Sequence, residues 1–103
     1  MFKVNTRRTY PYPVTVTIVD EQGKEQTGNF TATFKVLPRQ ESLPTNLLDQ
    51  VLVKLEGIEL SDADGNVLEG EAALSAAKND PSISIALVNT YTESVLKKNQ
   101  PKG

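Results

Sequence analysis

The chain has 103 residues, which suits a single small domain, and its hydrophobic content of 38% is above that of a disordered chain. The net charge of −2 argues against a nucleic-acid-binding domain, because such domains usually carry a basic stripe. The chain contains no histidine and no cysteine, which excludes disulfides and removes the usual general base, transition-metal ligands and thiol nucleophile, so we expect a non-enzymatic protein without a metal or cofactor.

The first element predicted along the chain is a β-strand that follows a proline-containing lead-in. Pro11 and Pro13 lack backbone donors, so residues 1–12 are expected to form an extended lead-in and not a central strand. Residues 14–19 read VTVTIV, in which β-branched side chains alternate between two faces. The apolar face of this strand carries Val14, Val16 and Ile18.

A second strand is expected after a polar turn over residues 20–26, which contains Gly23. Residues 29–36 read NFTATFKV and again alternate between apolar and polar side chains. The apolar face of this strand carries Phe30, Ala32, Phe34 and Val36. The two strands predict an antiparallel hairpin with one apolar face, and that face needs a cover because an isolated hairpin is only marginally stable in water.

The expected cover is an amphipathic helix over residues 45–56. Pro38 is expected to end the preceding strand, and Pro44 suits the first turn of a helix. Apolar residues at helical spacing form one stripe along the predicted helix: Leu47, Leu48, Val51, Leu52 and Leu55. Gly57 is expected to end the helix, since glycine adopts the left-handed conformation at low cost.

The second half of the chain predicts one ambiguous segment and two helices. Residues 58–70 contain a D-G-N turn whose flanks are compatible with two short strands or with an ordered loop. A short alanine-rich helix is expected over residues 71–78, and Asn79 is expected to close it. Asp80 as the N-cap and Pro81 as the first helical residue predict the start of the last helix.

The last helix carries the candidate partner-binding residues. Four apolar side chains share one of its faces: Leu87, Val88, Tyr91 and Val95. This face either belongs to the core or, in part, contacts a partner protein through leftover apolar surface. Residues 1–96 are therefore predicted to form one α+β domain, an N-terminal antiparallel β-hairpin packed on about three helices, and residues 97–103 a flexible polar tail.

Acidic residues near Gly65 suggest two kinds of site that their spacing does not support. An EF-hand loop with Gly65 as its sixth residue would place Leu60 at the first position, where a carboxylate is required. Asp62 and Asp64 resemble a pair of glycosidase carboxylates, but no apolar pocket or aromatic sugar platform is evident beside them. A solvated turn is the expected structure.

The N-terminal segment and the hydropathy pattern argue against two further classes of partner. Arg7, Arg8, Tyr10 and Tyr12 place basic and aromatic residues together, as sites for single-stranded nucleic acid do. The negative net charge and the intervening prolines favour a lead-in that binds no nucleic acid. No apolar run approaches the roughly 18–20 residues of a membrane span, and the N-terminus lacks the apolar stretch of a signal peptide, so we expect no membrane partner.

The order of these segments resembles the tail assembly chaperones of long-tailed bacteriophages and prophages, over nearly the whole chain. The start, YPYPVTVTIVDEQGKEQTGNFTATFKVLP, resembles their proline-flanked strand, charged turn and F-x-A-x-F-K strand. The middle, NLLDQVLVKLEGIELSDADGNVLE, resembles their helix, glycine and D-x-D-G-x turn. The end, DPSISIALVNTYTESVLKKN, resembles their closing helix. Leu55 and Thr92 stand where family members often carry tryptophan and phenylalanine.

The resemblance implies a role in tail morphogenesis. Such chaperones bind the tape measure protein, shield its apolar helices from aggregation and recruit tail tube subunits. They act in the host cytoplasm and are absent from the mature virion, and a homo-oligomer is compatible with this role. A second interpretation is a structural tail protein that stays in the virion, where its hairpin would add to a neighbour's sheet edge. A third, an accessory enzyme or host-takeover factor, is disfavoured by the missing histidine and cysteine.

Overall fold

The computed structural model describes residues 1–37 and 46–99, and it has the predicted α+β architecture. In chain order the elements are β1 (Thr9–Val19), β2 (Glu25–Lys35), α1 (Leu47–Val51), β3 (Leu52–Glu56), β4 (Leu60–Ser61), β5 (Val67–Leu68), α2 (Gly70–Asn79) and α3 (Pro81–Asn99). The roles predicted for Pro38 and Pro44 lie outside the described residues. One antiparallel sheet of order β1-β2-β3 and a two-stranded β4-β5 ribbon account for the strands of the described chain.

The predicted hairpin is confirmed, but its first strand begins earlier than the sequence indicated. Strand β1 pairs with β2 over eleven residues, from Thr9 opposite Lys35 to Val19 opposite Glu25. The strand therefore includes Pro11 and Pro13, so residues 9–12, predicted as an extended lead-in, belong to a strand at the edge of the sheet and not at its centre. Strand β1 lies at the edge of the sheet, where proline is tolerated.

The hydrogen-bond pattern explains why the two prolines do not break the ladder. The N–H of Val36 donates to the Arg8 carbonyl over 3.1 Å, and the N–H of Asp20 donates to the Lys24 carbonyl over 2.9 Å. Both pairs continue the β1–β2 register, and bonded pairs alternate with unbonded ones in an antiparallel ladder. Even-numbered residues of β1 therefore bond to β2, whereas odd-numbered residues, including both prolines, direct their backbone groups to the other edge.

The helix predicted over residues 45–56 is wrong in its second half. Helix α1 ends at Val51, and residues Leu52–Glu56 form strand β3, which pairs with β2. Buried backbone groups must be hydrogen-bonded, and β3 supplies partners to the second edge of β2. The apolar spacing suggested a longer helix because Leu52 fits the apolar stripe of a helix, whereas in the structure it is a buried residue of strand β3. Gly57, at a φ of +80°, ends this strand and not a helix.

Strand β3 joins the sheet through an irregular register. Thr33 lies opposite Lys54, but Phe34 lies opposite Leu52, so Val53 is an extra residue on β3. Such a bulge bends the strand that contains it. The bulge sits where the chain leaves α1, and Val53 is exposed there.

The last third of the chain follows the sequence closely. The open choice for residues 58–70 resolves into two short strands, in which Leu60 pairs with Leu68. Helices α2 and α3 occupy the predicted positions, and the Asp80 carboxylate accepts the N–H of Ile83 over 3.1 Å as an N-cap should. The backbone of α3 continues to Asn99, through the first part of the predicted tail, and residues 100–103 lie outside the described residues.

The core fills the space between one face of the sheet and the helices. It consists of Val14, Val16, Phe30, Ala32, Phe34, Leu47, Leu48, Val51, Leu52, Ala77, Ile83, Leu87 and Tyr91. The faces predicted for the two strands are confirmed in their central parts, because these side chains point to the helices. Ile18, near the hairpin tip, is 37% exposed, so the distal part of the apolar face has less cover than the centre.

The turns of the two hairpins have the same geometry. In each, an aspartate carboxylate accepts two backbone N–H groups, those of Gln22 and Lys24 at Asp20 and those of Asp64 and Asn66 at Asp62, over 2.8–3.0 Å. The N–H of Lys24, and next that of Gln22, lowers the pKa of Asp20. The N–H of Asn66 acts in the same way on the pKa of Asp62, against an opposing effect of burial.

Candidate partner-binding surface

The four residues predicted to contact a partner differ in how deeply they are buried. Leu87 has no exposed surface and Tyr91 is 6% exposed, whereas Val88 and Val95 are half-buried at the core's edge. In this conformation Leu87 and Tyr91 hold α3 against the sheet. A contact between these four side chains and a partner stays a prediction, and Leu87 and Tyr91 are the two that the fold itself requires.

Tyr91 belongs to an aromatic cluster that joins α3 to the sheet. Its ring packs against Phe34 with 5.5 Å between ring centroids, and Phe34 packs against Tyr10 at 6.1 Å. Edge-on aromatic pairs of this kind stabilise beyond the area they bury. The Tyr91 hydroxyl accepts the N–H of Leu37 over 3.4 Å. The cluster therefore fixes how α3 crosses the sheet.

A second contact ties the first strand to the last helix. The Ser94 hydroxyl donates to the Tyr91 carbonyl over 2.8 Å, so its oxygen accepts the Tyr10 hydroxyl proton over 2.6 Å. Burial raises the pKa of the Tyr10 phenol. Tyr10 thus faces the core of the domain and does not present a free ring beside Arg7 and Arg8.

A groove lies on the other side of α3, between this helix and β1. The groove has a volume of about 620 Å³. Its helix wall includes the small residues Ser82, Ala86 and Thr90, one turn apart, and Ile85, which is 61% exposed. Its strand wall includes Val16 and flanking residues of β1. We call this feature the α3–β1 groove, and it presents an apolar side chain to solvent on a folded domain.

The edge of β1 forms part of this groove, since Thr15 and Thr17 line it. The backbone N–H and carbonyl groups of Thr15, Thr17 and Val19 point away from β2 and meet no strand partner within residues 1–37 and 46–99. We call these three residues the open edge. Earlier in β1 the same edge carries Pro11 and Pro13, which have no N–H to offer. Only the distal half of the strand can therefore accept another strand with a full set of bonds.

The solvent-facing side of the hairpin is polar and internally bonded. Thr15 donates its hydroxyl proton to the Asn29 amide oxygen over 2.8 Å, and the hydroxyls of Thr17 and Thr27 are 2.9 Å apart. Cross-strand pairs of this kind stabilise a hairpin. This face is therefore polar over its centre, and Val19, 65% exposed, is an apolar residue at its distal end.

The acidic turn of the β4–β5 ribbon has a structural explanation. The Asp62 carboxylate accepts the N–H groups of Asp64 and Asn66, as described above, and so closes its own turn. Within the described part of the chain, no three acidic side chains come together as metal ligands. None of the helices there has the length and apolar character needed to cross a bilayer.

Comparison with known proteins gives no relative for this chain. No family model, no curated protein and no solved structure matches it. The sequence motifs, the α3–β1 groove and the open edge are therefore the features that bear on function.

Sequence reasoning missed both of these features, although one signal for the open edge is present. Pro11 and Pro13 are two positions apart in an alternating segment, so both can direct their nitrogens to one side of a strand. That spacing indicates an edge strand that continues through the prolines. The groove had no comparable signal, because it depends on how α3 crosses β1.

Proposed function

We propose that this protein is a tail assembly chaperone of a long-tailed bacteriophage or prophage. In this role it binds the tape measure protein in the host cytoplasm, prevents its aggregation and recruits tail tube subunits, without enzymatic turnover and without entering the mature virion. The order of sequence motifs supports the family. The structural observation that carries a holding function is Ile85, an isoleucine 61% exposed in the α3–β1 groove.

The physical mechanism is reversible masking of apolar surface. A chaperone must cover an apolar helix of the tape measure protein tightly enough to prevent aggregation and weakly enough for tube subunits to displace it. Interfaces of small area tend to be transient. Several copies along one long partner would add avidity without new kinds of contact. A groove of about 620 Å³ with one exposed isoleucine is of a size that suits such a contact.

The partner surface is best tested at Ile85 and not at Tyr91. Tyr91 packs on Phe34 inside the core, so Tyr91→Asp would bury an unpaired carboxylate and unfold the domain. Ile85 lines the groove and is mostly exposed, so its replacement should change the stability of the fold very little. Ile85→Asp is therefore expected to keep the fold and to weaken partner binding at least about tenfold.

The experiment co-expresses the tape measure protein with the wild-type chain, with Ile85→Asp or with Val67→Asp, and measures the soluble, co-purifying tape measure protein. Val67 is a matched control, because it is an apolar residue 53% exposed on β5 and does not line the groove. We expect Ile85→Asp to lose the complex and Val67→Asp to keep it. Full binding by a folded Ile85→Asp variant would remove the groove from the proposal.

The open edge favours a second function, that of a structural tail protein retained in the virion. Strand addition at Thr15, Thr17 and Val19 would join the hairpin to a neighbouring subunit. Mass spectrometry of purified virions separates the two functions, because a chaperone is absent from the particle and a structural protein is present in stoichiometric amount. A gene position between the tube gene and the tape measure gene would favour the chaperone.

A further inference from the structure

The distal half of β1 lacks the usual protection of a sheet edge. Natural edge strands carry charges, prolines or bulges that prevent pairing with another chain. Residues 14–19, VTVTIV, have no charge and no proline, and four of their six side chains are valine or isoleucine. Such a segment pairs readily with another strand. Within residues 1–37 and 46–99, no strand pairs with the open edge, so this edge is available to a second molecule.

We propose that a second copy of this chain occupies the open edge by antiparallel pairing around a two-fold axis at Thr17. In this register Thr17 faces Thr17 of the second copy, and Thr15 faces Val19. Only odd-numbered residues direct backbone groups outward, and this register pairs odd with odd at every bonded position. It forms six backbone hydrogen bonds and leaves both prolines outside the bonded segment.

The same register continues the apolar face of the sheet. Val16 of one copy lies beside Ile18 of the other, at the directly opposed, unbonded positions where side chains approach most closely. Ile18 is the least covered apolar residue on the helix-facing side of β1, so the pairing covers the part of the hairpin that the helices leave open. An isologous interface of this kind is the commonest form of dimer.

Helix α3 adjoins the paired strands, because Ser82, Ile85 and Ala86 line the α3–β1 groove together with Thr15 and Thr17. Ile83, near the start of α3, lines a cavity with Val16 and Ile18, whereas Ser94 contacts Tyr10 at the other end of β1. The helix thus runs from the two-fold axis toward the start of the strand. In this register the α3 helices of the two copies would point in opposite directions, away from the two-fold axis.

The charge distribution also suits a second copy. No like charges oppose each other in the paired segment, since residues 14–19 are uncharged and Asp20 lies opposite Val14 of the other copy. A net charge of −2 per chain adds little repulsion at physiological ionic strength. An acidic or basic partner peptide would find no complementary charge along this segment.

The size of the contact indicates a weak and reversible dimer. A stable dimer buries about 800 Å² and about 20–30 residues on each partner, about a tenth of the 7913 Å² surface of this chain. The open edge with its flanking side chains provides fewer residues than that. We therefore expect a dissociation constant of about 10 µM or weaker, visible as a concentration-dependent increase in mass.

The first test uses the fact that Thr17 opposes itself. Thr17→Lys and Thr17→Glu each place two like charges across the axis, and we expect each to raise the dissociation constant about fivefold in sedimentation equilibrium at low salt. An equal mixture of the two variants should restore association. Thr31→Lys makes the same charge change on the same sheet face but on β2, opposite Glu56, and should leave the dimer unchanged. A mixture no tighter than the single variants would overturn the two-fold register.

The second test removes the bond donors. Thr17→Pro leaves the β1–β2 ladder intact because residue 17 faces the open edge, as Pro11 and Pro13 do, and it should weaken the dimer at least about tenfold. Thr17→Ala keeps the N–H and should dimerise like the wild type. Circular dichroism melting of both variants confirms the fold. A wild-type chain that stays monomeric at about 1 mM would reject the second copy as occupant, and so would a folded Thr17→Pro variant that dimerises like the wild type. If Thr17→Pro loses only its binding to the tape measure protein, the open edge belongs to that partner.

Discussion

The two hairpins of this domain share one turn and differ in almost everything else. At both ends an aspartate accepts two backbone N–H groups, and a glycine adopts a φ near +80°, Gly23 in the first turn and Gly65 in the second. The first turn joins strands of eleven residues, whereas the second joins strands of two. The turn chemistry is therefore local and does not set the length of a hairpin.

The length of the paired strands follows instead from how much apolar surface of each hairpin is buried against other elements. Strands β1 and β2 bury alternate side chains under α3 and α1, with Phe34 fully enclosed. In the β4–β5 ribbon, Leu60 and Leu68 are only half-buried. A two-stranded ribbon is marginal in water, so pairing stops where the apolar contacts stop. Three sets of matched variants test this difference between the hairpins.

The largest effect is expected from the core of the long hairpin. Phe34→Ala removes a fully buried ring that contacts Tyr10 and Tyr91, and should lower the free energy of unfolding by about 3–5 kcal/mol. Leu68→Ala, in the short ribbon, should cost about 1 kcal/mol. Urea denaturation followed by circular dichroism measures both. Equal losses would mean that the short ribbon contributes to the core as much as the long hairpin does.

An intermediate effect is expected from the turn glycines. An added Cβ meets no atom within 4 Å at Gly23 or Gly65, so the cost of alanine comes from the left-handed backbone alone, about 1–2 kcal/mol. Gly23→Ala should lower global stability by that amount. Gly65→Ala should lower it less, because the short ribbon can open without the core. Hydrogen exchange at the Asn66 amide should then accelerate in Gly65→Ala, and unchanged exchange there would contradict separate opening.

The smallest effect is expected from the turn aspartates. Each has a folded pKa below its ordinary value of 3.8, so the stability it contributes is present above that pH and is lost as the pH falls through the lower folded pKa. Asn keeps an acceptor oxygen but does not titrate. Asp20→Asn should therefore flatten the acid limb of the melting temperature between about pH 5 and pH 2, and Asp62→Asn should do so less. Identical acid limbs in Asp20→Asn and the wild type would exclude this contribution.

The parts of the fold that the sequence predicted are those that local patterns determine. Alternation located the buried face of β2, and Asp80 followed by Pro81 located the start of α3. The segment Leu52–Glu56 could not be assigned in this way, because its apolar spacing fits a helix and its strand conformation depends on pairing with β2, whose partner residues are distant in the sequence. Tertiary pairing overrode the helical pattern there.

The candidate surface was less predictable than the fold for a related reason. The sequence predicted that the last helix contacts a partner, but which face of α3 stays exposed depends on how the helix crosses β1. The structure buries Leu87 and Tyr91 and exposes Ile85, which was not among the residues predicted to contact a partner. Amphipathic spacing alone does not distinguish a groove wall from a core wall, since both place residues three and four apart.

The hydrogen bond between Tyr10 and Ser94 joins residues that are 84 positions apart, and this has a consequence for biosynthesis. At about 5–20 residues per second, a ribosome needs roughly 4–17 s to proceed from the first of these codons to the second. Both strands of the hairpin are synthesised within that interval, before the helix that covers them is complete. The buried face of the hairpin therefore stays exposed until α3 has been synthesised.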